Sequence, residues 1–154
     1  TSIAGVARSQ YRLNRLKNKI KNSDDTQPSL TGDVDFMRKI GELEIELKAL
    51  EYTELRTLAA VTVGKAPGPE SSLLKIRGTE IQQRLDELFM EAAGYFSLPY
   101  VPNQYTLDSD PEDHVGFGGD SVSSLIYFNN RKASIYGGSN EIQKNIIAKH
   151  VLGL

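Results

Sequence analysis

The chain has 154 residues, enough for one domain with its own core, and no cysteine, which excludes a disulfide framework, a thiol nucleophile and a thiolate zinc site. A formal net charge of −2 gives no global field toward nucleic acid or an anionic membrane, and 39% apolar with 25% charged residues is the composition of a globular chain. No apolar run approaches the roughly 20 residues of a membrane span and no signal-peptide pattern opens the chain, so the expected setting is cytoplasmic.

Apolar residues recur at helical spacing almost throughout, and strand signals are nearly absent. Ile3, Val6, Leu13, Leu16 and Ile20 share one face of a first helix. Residues 3–7 read as the interior of that helix with no cap before them, so Thr1 is expected to fall inside a longer chain. The polar stretch 22–30, with Asp24, Asp25 and Pro28, reads as a connection. Gly32 and Asp33 open a long second helix whose stripe is Met37, Ile40, Leu43, Leu47, Leu50, Leu55 and Leu58. The pattern breaks over 64–69, and Pro69 fits the first turn of a third helix carrying Leu73, Leu74, Ile81, Leu85, Leu88 and Phe89. From Gly94 to about Asp120 runs the longest irregular stretch, of a length that in compact domains goes with function or mobility. A short helix is predicted over 124–132 and a last one over 141–152, with Ile142, Ile146, Ile147 and Val151 facing inward. The sum is an all-α, up-down helical bundle of about five helices, one domain over 1–154.

Four local features carry polar chemistry. Arg8, Arg12, Arg15, Lys17, Lys19 and Lys21 form a basic run without an acid. With only Tyr11 as a nearby aromatic it reads as a solvated helix face rather than a nucleic-acid surface. Asp108, Asp110, Glu112, Asp113 and His114 lack the loop spacing and closing glutamate of a calcium site, and His150 stands alone, so no metal site is expected. Gly116-Phe117-Gly118-Gly119 reads as a turn, since no strand or P-loop pattern surrounds it. Tyr136-Gly137-Gly138-Ser139-Asn140-Glu141-Ile142-Gln143 is the strongest. Two glycines let backbone approach a ligand, Ser139 and Asn140 are capping residues, Asn140 and Gln143 have capping-box spacing, and a helix start offers N–H groups to polar ligand atoms.

Residues 134–149, reading SIYGGSNEIQKNIIAK, resemble the C-terminal signature of the acyl-CoA dehydrogenase family, and 150–154 continue the likeness. The second helix, the segment 65–75 and Tyr127-Phe128-Asn129-Asn130-Arg131-Lys132 extend it, closest in flavour to the pimeloyl-CoA dehydrogenase large-subunit branch. The resemblance implies FAD, an acyl-CoA substrate oxidised at its α,β bond, an electron-transfer flavoprotein as acceptor, and like or unlike subunits in a dimer or tetramer. It implies neither nucleic acid nor membrane as partner. By the same resemblance Gly138 lies beside the acyl-CoA, and Ser139, Asn140 and Glu141 touch FAD. Many members carry the catalytic glutamate where this chain has Gly137, so no catalytic residue is expected within the chain. Other members place it just before the first helix, which here falls upstream of Thr1. The family's arginine-aromatic flavin motif is replaced by Asp25-Thr26-Gln27-Pro28, and its glutamine-rich glycine turn is at best Glu91 and Gly94. These departures imply that the chain alone is inactive and does not retain FAD, and they leave open a non-catalytic subunit-assembly module with an incomplete site.

Overall fold

A computed structural model describes residues 4–22, 30–64, 66, 68–100 and 120–154. Among them are five α-helices and no strand: α1 (Val6–Lys21), α2 (Val34–Thr62), α3 (Glu70–Ala93), α4 (Val122–Asn130) and α5 (Asn140–Ile147). The long helix α3 is the central element, packed against each of the other four. The all-α bundle is therefore as expected.

The core follows the sequence stripe with a shift in register. Leu13, Leu16 and Ile20 of α1, Ile40, Leu43, Leu47 and Leu50 of α2, and Leu74, Ile81, Leu85 and Leu88 of α3 are buried together. In α2 the stripe begins at Phe36, which is fully buried, whereas Met37 is exposed. Phe36 continues the alternating three- and four-residue spacing backwards from Ile40; Met37 sits one position off it. The Asp33 side chain caps α2 by accepting from the Phe36 N–H at 2.9 Å, which fixes that register.

Leu55 and Leu58 were expected in the stripe and are exposed, at 54% and 57%. No residue from 51 to 62 is buried: these last turns of α2 are at most half-covered among the described residues and form an overhang. Three threonines on this overhang, Thr53, Thr57 and Thr62, each donate a hydroxyl to the carbonyl four residues earlier at 2.9 Å. On α3, Leu73 is exposed while Ser72, Leu74 and Ile76 are buried.

The start of the chain also departs from expectation. Gly5 has φ of 62°, a left-handed conformation that no helix interior accepts, so α1 begins at Val6. Ala4 is buried against Gly78 of α3: a Cβ on Gly78 would stand 2.6 Å from the Ala4 carbonyl oxygen. A glycine in mid-helix thus lets the lead-in to α1 cross α3 at backbone distance.

Candidate functional site

After α4 the chain makes a 3₁₀ turn (Arg131–Ser134) and enters the glycine turn that starts α5. Gly137 and Gly138 have φ of 68° and 88°, which side chains other than glycine rarely tolerate. Among the described residues, no heavy atom lies within 4 Å of the Cβ position that Gly137 lacks. The Gln143 amide stands over Gly138 instead, 2.6 Å from its missing Cβ. Gln143 is therefore turned toward the glycine, and the capping box expected from Asn140 and Gln143 is not formed. Ser139 is the N-cap, accepting from the Ile142 N–H at 3.4 Å.

The three residues that follow the glycines have different environments. Ser139 is half-buried and Glu141 is exposed. The Glu141 carboxyl is held below the ordinary glutamate range by its own backbone N–H and by the Ser139 hydroxyl. Asn140 is buried, and its Oδ1 accepts from Lys75 Nζ at 2.9 Å and lies 3.4 Å from Thr79 Oγ1. Lys75 also donates to the Ser134 carbonyl at 3.2 Å, and partial burial pulls its ammonium below the ordinary lysine range. Lys75 and Thr79, one helical turn apart on α3, were not marked by the sequence reading. Their four-residue spacing places them on one helix face, but nothing local names Asn140 as the partner.

The last helix reaches Leu152, as expected, but changes pitch on the way. After Ile147 it widens into a π-turn (Ala148–Leu152) that closes on Gly153 at φ of 70°. Ile142 and Val151 were expected to face inward and are exposed, while Ile146 and Ile147 are half-buried; the buried residue of α5 is Asn140. The α5 apolar residues are thus at most half-covered, and the residue the helix buries fully is its polar first one.

The basic run is divided by the fold. Arg12 pairs with the buried Asp86 at 2.5 Å and stacks over Phe89; Lys17 pairs with Glu44 and Lys19 with the buried Asp120. Arg12 and Lys17 tie α1 to α3 and α2, and Lys19 ties it to Asp120 ahead of α4, so half of the run is engaged within the bundle rather than free in solvent. Asp86 also accepts from Asn130 Nδ2 at 2.8 Å, so one carboxylate joins α1, α3 and α4. A groove of about 270 Å³ lined by Gln10, Leu13, Asn14, Glu44, Leu47 and Lys48 lies between α1 and α2, away from the elements that carry the glycine turn. Among the described residues no cluster of His, Cys, Asp or Glu could hold a metal ion, and no helix is long and apolar enough to cross a membrane. The acidic cluster 108–114, with His114, and the glycines 116–119 lie outside the described residues, as do Thr1, Ile3 and 23–29.

Comparison with known proteins identifies the frame in which this turn sits. The model of the acyl-CoA dehydrogenase C-terminal domain matches residues 2–152. The acyl-CoA dehydrogenase IpdE1 of Mycolicibacterium smegmatis is 31% identical over 100 residues, covering 65% of this chain and 22% of that protein. IpdE1 of Mycobacterium tuberculosis is 29% identical over 109 residues, covering 67% and 24%. The chain thus spans about a quarter or less of the length of these relatives. In fold it is similar to a chain of the ChsE4-ChsE5 complex from Mycobacterium tuberculosis, with a TM-score of 0.71 at 21% identity over 97% of this chain and 36% of that one. The chain belongs to the acyl-CoA dehydrogenase family and carries the helical fold of its C-terminal domain.

Proposed function

We propose that this chain serves an FAD-dependent acyl-CoA dehydrogenase, which oxidises the α,β bond of an acyl-CoA thioester, and that residues 137–141 border the flavin and the thioester. The observation that supports this best is the open backbone of the turn, with two left-handed glycines and, among the described residues, free space where Gly137 lacks a side chain. Gly138 would adjoin the acyl-CoA, and Ser139, Asn140 and Glu141 the flavin nucleotide.

The groups present fit part of that nucleotide. The Glu141 carboxylate already bonds to its own N–H in the first turn of α5, so a phosphate placed there would meet a like charge. Ser139 and Glu141 instead suit hydroxyl or N–H groups of the ligand. When bound, FAD supplies the hydride acceptor, and an electron-transfer flavoprotein takes the electrons onward. Glu141 is a poor base for the α-proton because its carboxyl is held low, and Gly137 has no side chain. We propose that the base comes from outside the glycine turn, near the segment leading into α1. Ala4 packs on Gly78, and Asn140 bonds to Lys75 next to Thr79, so that segment and the glycine turn meet the same stretch of α3.

The test is flavin content and flavin bleaching by acyl-CoA thioesters in the full-length protein that carries this sequence. Bound FAD, weakened about tenfold by Ser139→Ala, is the expected result for loss of one buried hydrogen bond. A full-length protein that neither binds FAD nor responds to any acyl-CoA would overturn the reading.

A second reading is favoured by the α2 overhang and by the missing side chain at Gly137: a subunit-assembly module whose partner chain supplies flavin and base. The similar solved structure is itself a complex of two named chains. Flavin found only after an unlike acyl-CoA dehydrogenase subunit is added would select this reading.

A further inference from the structure

Lys75 occupies a particular place in the glycine turn. Its Nζ donates to the Ser134 carbonyl, just before the turn, and to Asn140 Oδ1, just after it. One ammonium therefore ties both ends of residues 135–139 to α3. Both acceptors are neutral oxygens, and the Glu141 carboxylate adds a longer-range attraction.

The contact also decides how Asn140 is oriented. An asparagine amide can be flipped with little change in shape, and its hydrogen-bond partners choose the orientation. Thr79 is a weak arbiter: its single hydroxyl proton lies on the Ile76 carbonyl at 2.8 Å, and Asn140 is 3.4 Å away. Lysine has donors only, so the Asn140 atom that faces it must be the oxygen. The amide nitrogen is then turned away from Lys75. Asn140 is 8% exposed, so the residue is not sealed from a ligand on the turn.

We propose that Lys75 is a positioning residue that fixes the glycine turn on α3 and commits Asn140 to present N–H donors to an acceptor oxygen of the flavin nucleotide. The inference rests on the flavin reading above and adds to it the hydrogen-bond polarity of the contact: an acceptor at Asn140, donors at Ser139 and Glu141.

The experiment is titration of FAD into the apo form of the full-length protein, followed by flavin fluorescence. The variants are Lys75→Met, Lys75→Arg, Asn140→Ala, the Lys75→Met/Asn140→Ala double variant and Ser139→Ala. Methionine keeps the aliphatic stem, so the packing around it is preserved. Lys75→Met and Asn140→Ala should each weaken FAD by about tenfold, the scale of one hydrogen bond. The double variant should be weaker than Asn140→Ala by clearly less than the Lys75→Met loss, since Lys75 acts largely through Asn140 and otherwise only through its tie to Ser134. Lys75→Arg, which restores donors, should recover affinity to within about threefold of the parent, a few tenths of a hydrogen bond. A lysine that only stabilises the fold would give additive losses. Additive losses, or a Lys75→Met protein that holds FAD like the parent while Ser139→Ala does not, overturn this inference and leave the flavin reading standing. FAD affinity unchanged in all five variants overturns both.

Discussion

Gly78 offers a sharp test of how the bundle is built. Adding one methyl group by Gly78→Ala places a Cβ 2.6 Å from the Ala4 oxygen, 2.9 Å from its Cα and 3.1 Å from its carbonyl carbon. All three are backbone atoms, which cannot rotate aside as a flexible side chain would. Ala4 is buried and its neighbour Gly5 is committed to a left-handed conformation, so relief requires moving the entry to α1 as a unit. Overpacking of this kind costs about 1–3 kcal/mol. The same substitution gains about 0.5–1 kcal/mol because alanine is the better helix former. The net expectation is a loss of up to about 2.5 kcal/mol, or a fall in Tm of up to roughly 10 °C at about 2–4 °C per kcal/mol for a chain of this size. Gly41→Ala is the matched control: Gly41 is also inside a helix, and no heavy atom among the described residues lies within 4 Å of its Cβ position. It should gain about 0.5–1 kcal/mol. Urea and thermal unfolding followed by circular dichroism would measure both. A Gly78→Ala protein as stable as Gly41→Ala would refute the close crossing of Ala4 over α3.

Three further outcomes are expected. Asp86→Ala leaves Arg12 without its partner and Asn130 without its acceptor, and should destabilise by about 3 kcal/mol, the low end for a broken buried pair because Arg12 is partly exposed; a change under about 0.5 kcal/mol in denaturant unfolding, the range of ordinary surface substitutions, would contradict the three-helix tie. For Glu141 the folded pKa is depressed, so its contribution to α5 is present above the ordinary glutamate range and is lost as pH falls through the folded value. Side-chain NMR should place its titration midpoint below that of a free glutamate, and a midpoint at or above it would exclude the bond to its own N–H. Leu55→Ser with Leu58→Ser should change the stability of the dilute chain by less than about 0.5 kcal/mol, since both lie on the overhang, and should reduce self-association in sedimentation at high concentration. A large fall in the dilute unfolding midpoint would mean that these leucines are packed within the chain.

What could be read from the sequence follows from the range of each signal. The helices were legible because periodicity repeats over many residues, as from Ile40 through Leu50, and Asp33 was legible as a helix opening because its partner Phe36 is three residues away. Leu55 and Leu58 fall one position off that period, whose next steps are Glu54 and Thr57, and apolar identity alone does not say which face is covered. The same limit misplaced Ile142 and Val151 on α5. At the site, the glycine turn and the Ser139 cap were local and so were visible. The role of Asn140 was not, because Lys75 lies 65 residues away and a lysine on an amphipathic helix reads as a solvated residue. Asp86 was hidden for the same reason: Arg12 is 74 residues distant, and nothing near Asp86 in sequence marks it as buried.

The threonines on the last turns of α2 have a consequence for whatever meets that helix. Thr53, Thr57 and Thr62 already return their hydroxyl protons to the helix carbonyls. A surface laid on either side of these turns, Leu55 and Leu58 with Thr62 on one and Thr53 with Thr57 on the other, would therefore displace water without stranding these polar hydrogens, so its attraction would be governed by shape and apolar area, with little demand for matching donors and acceptors. Such a helix can be sheathed or left bare with the same internal bonding, which makes it tolerant of different neighbours.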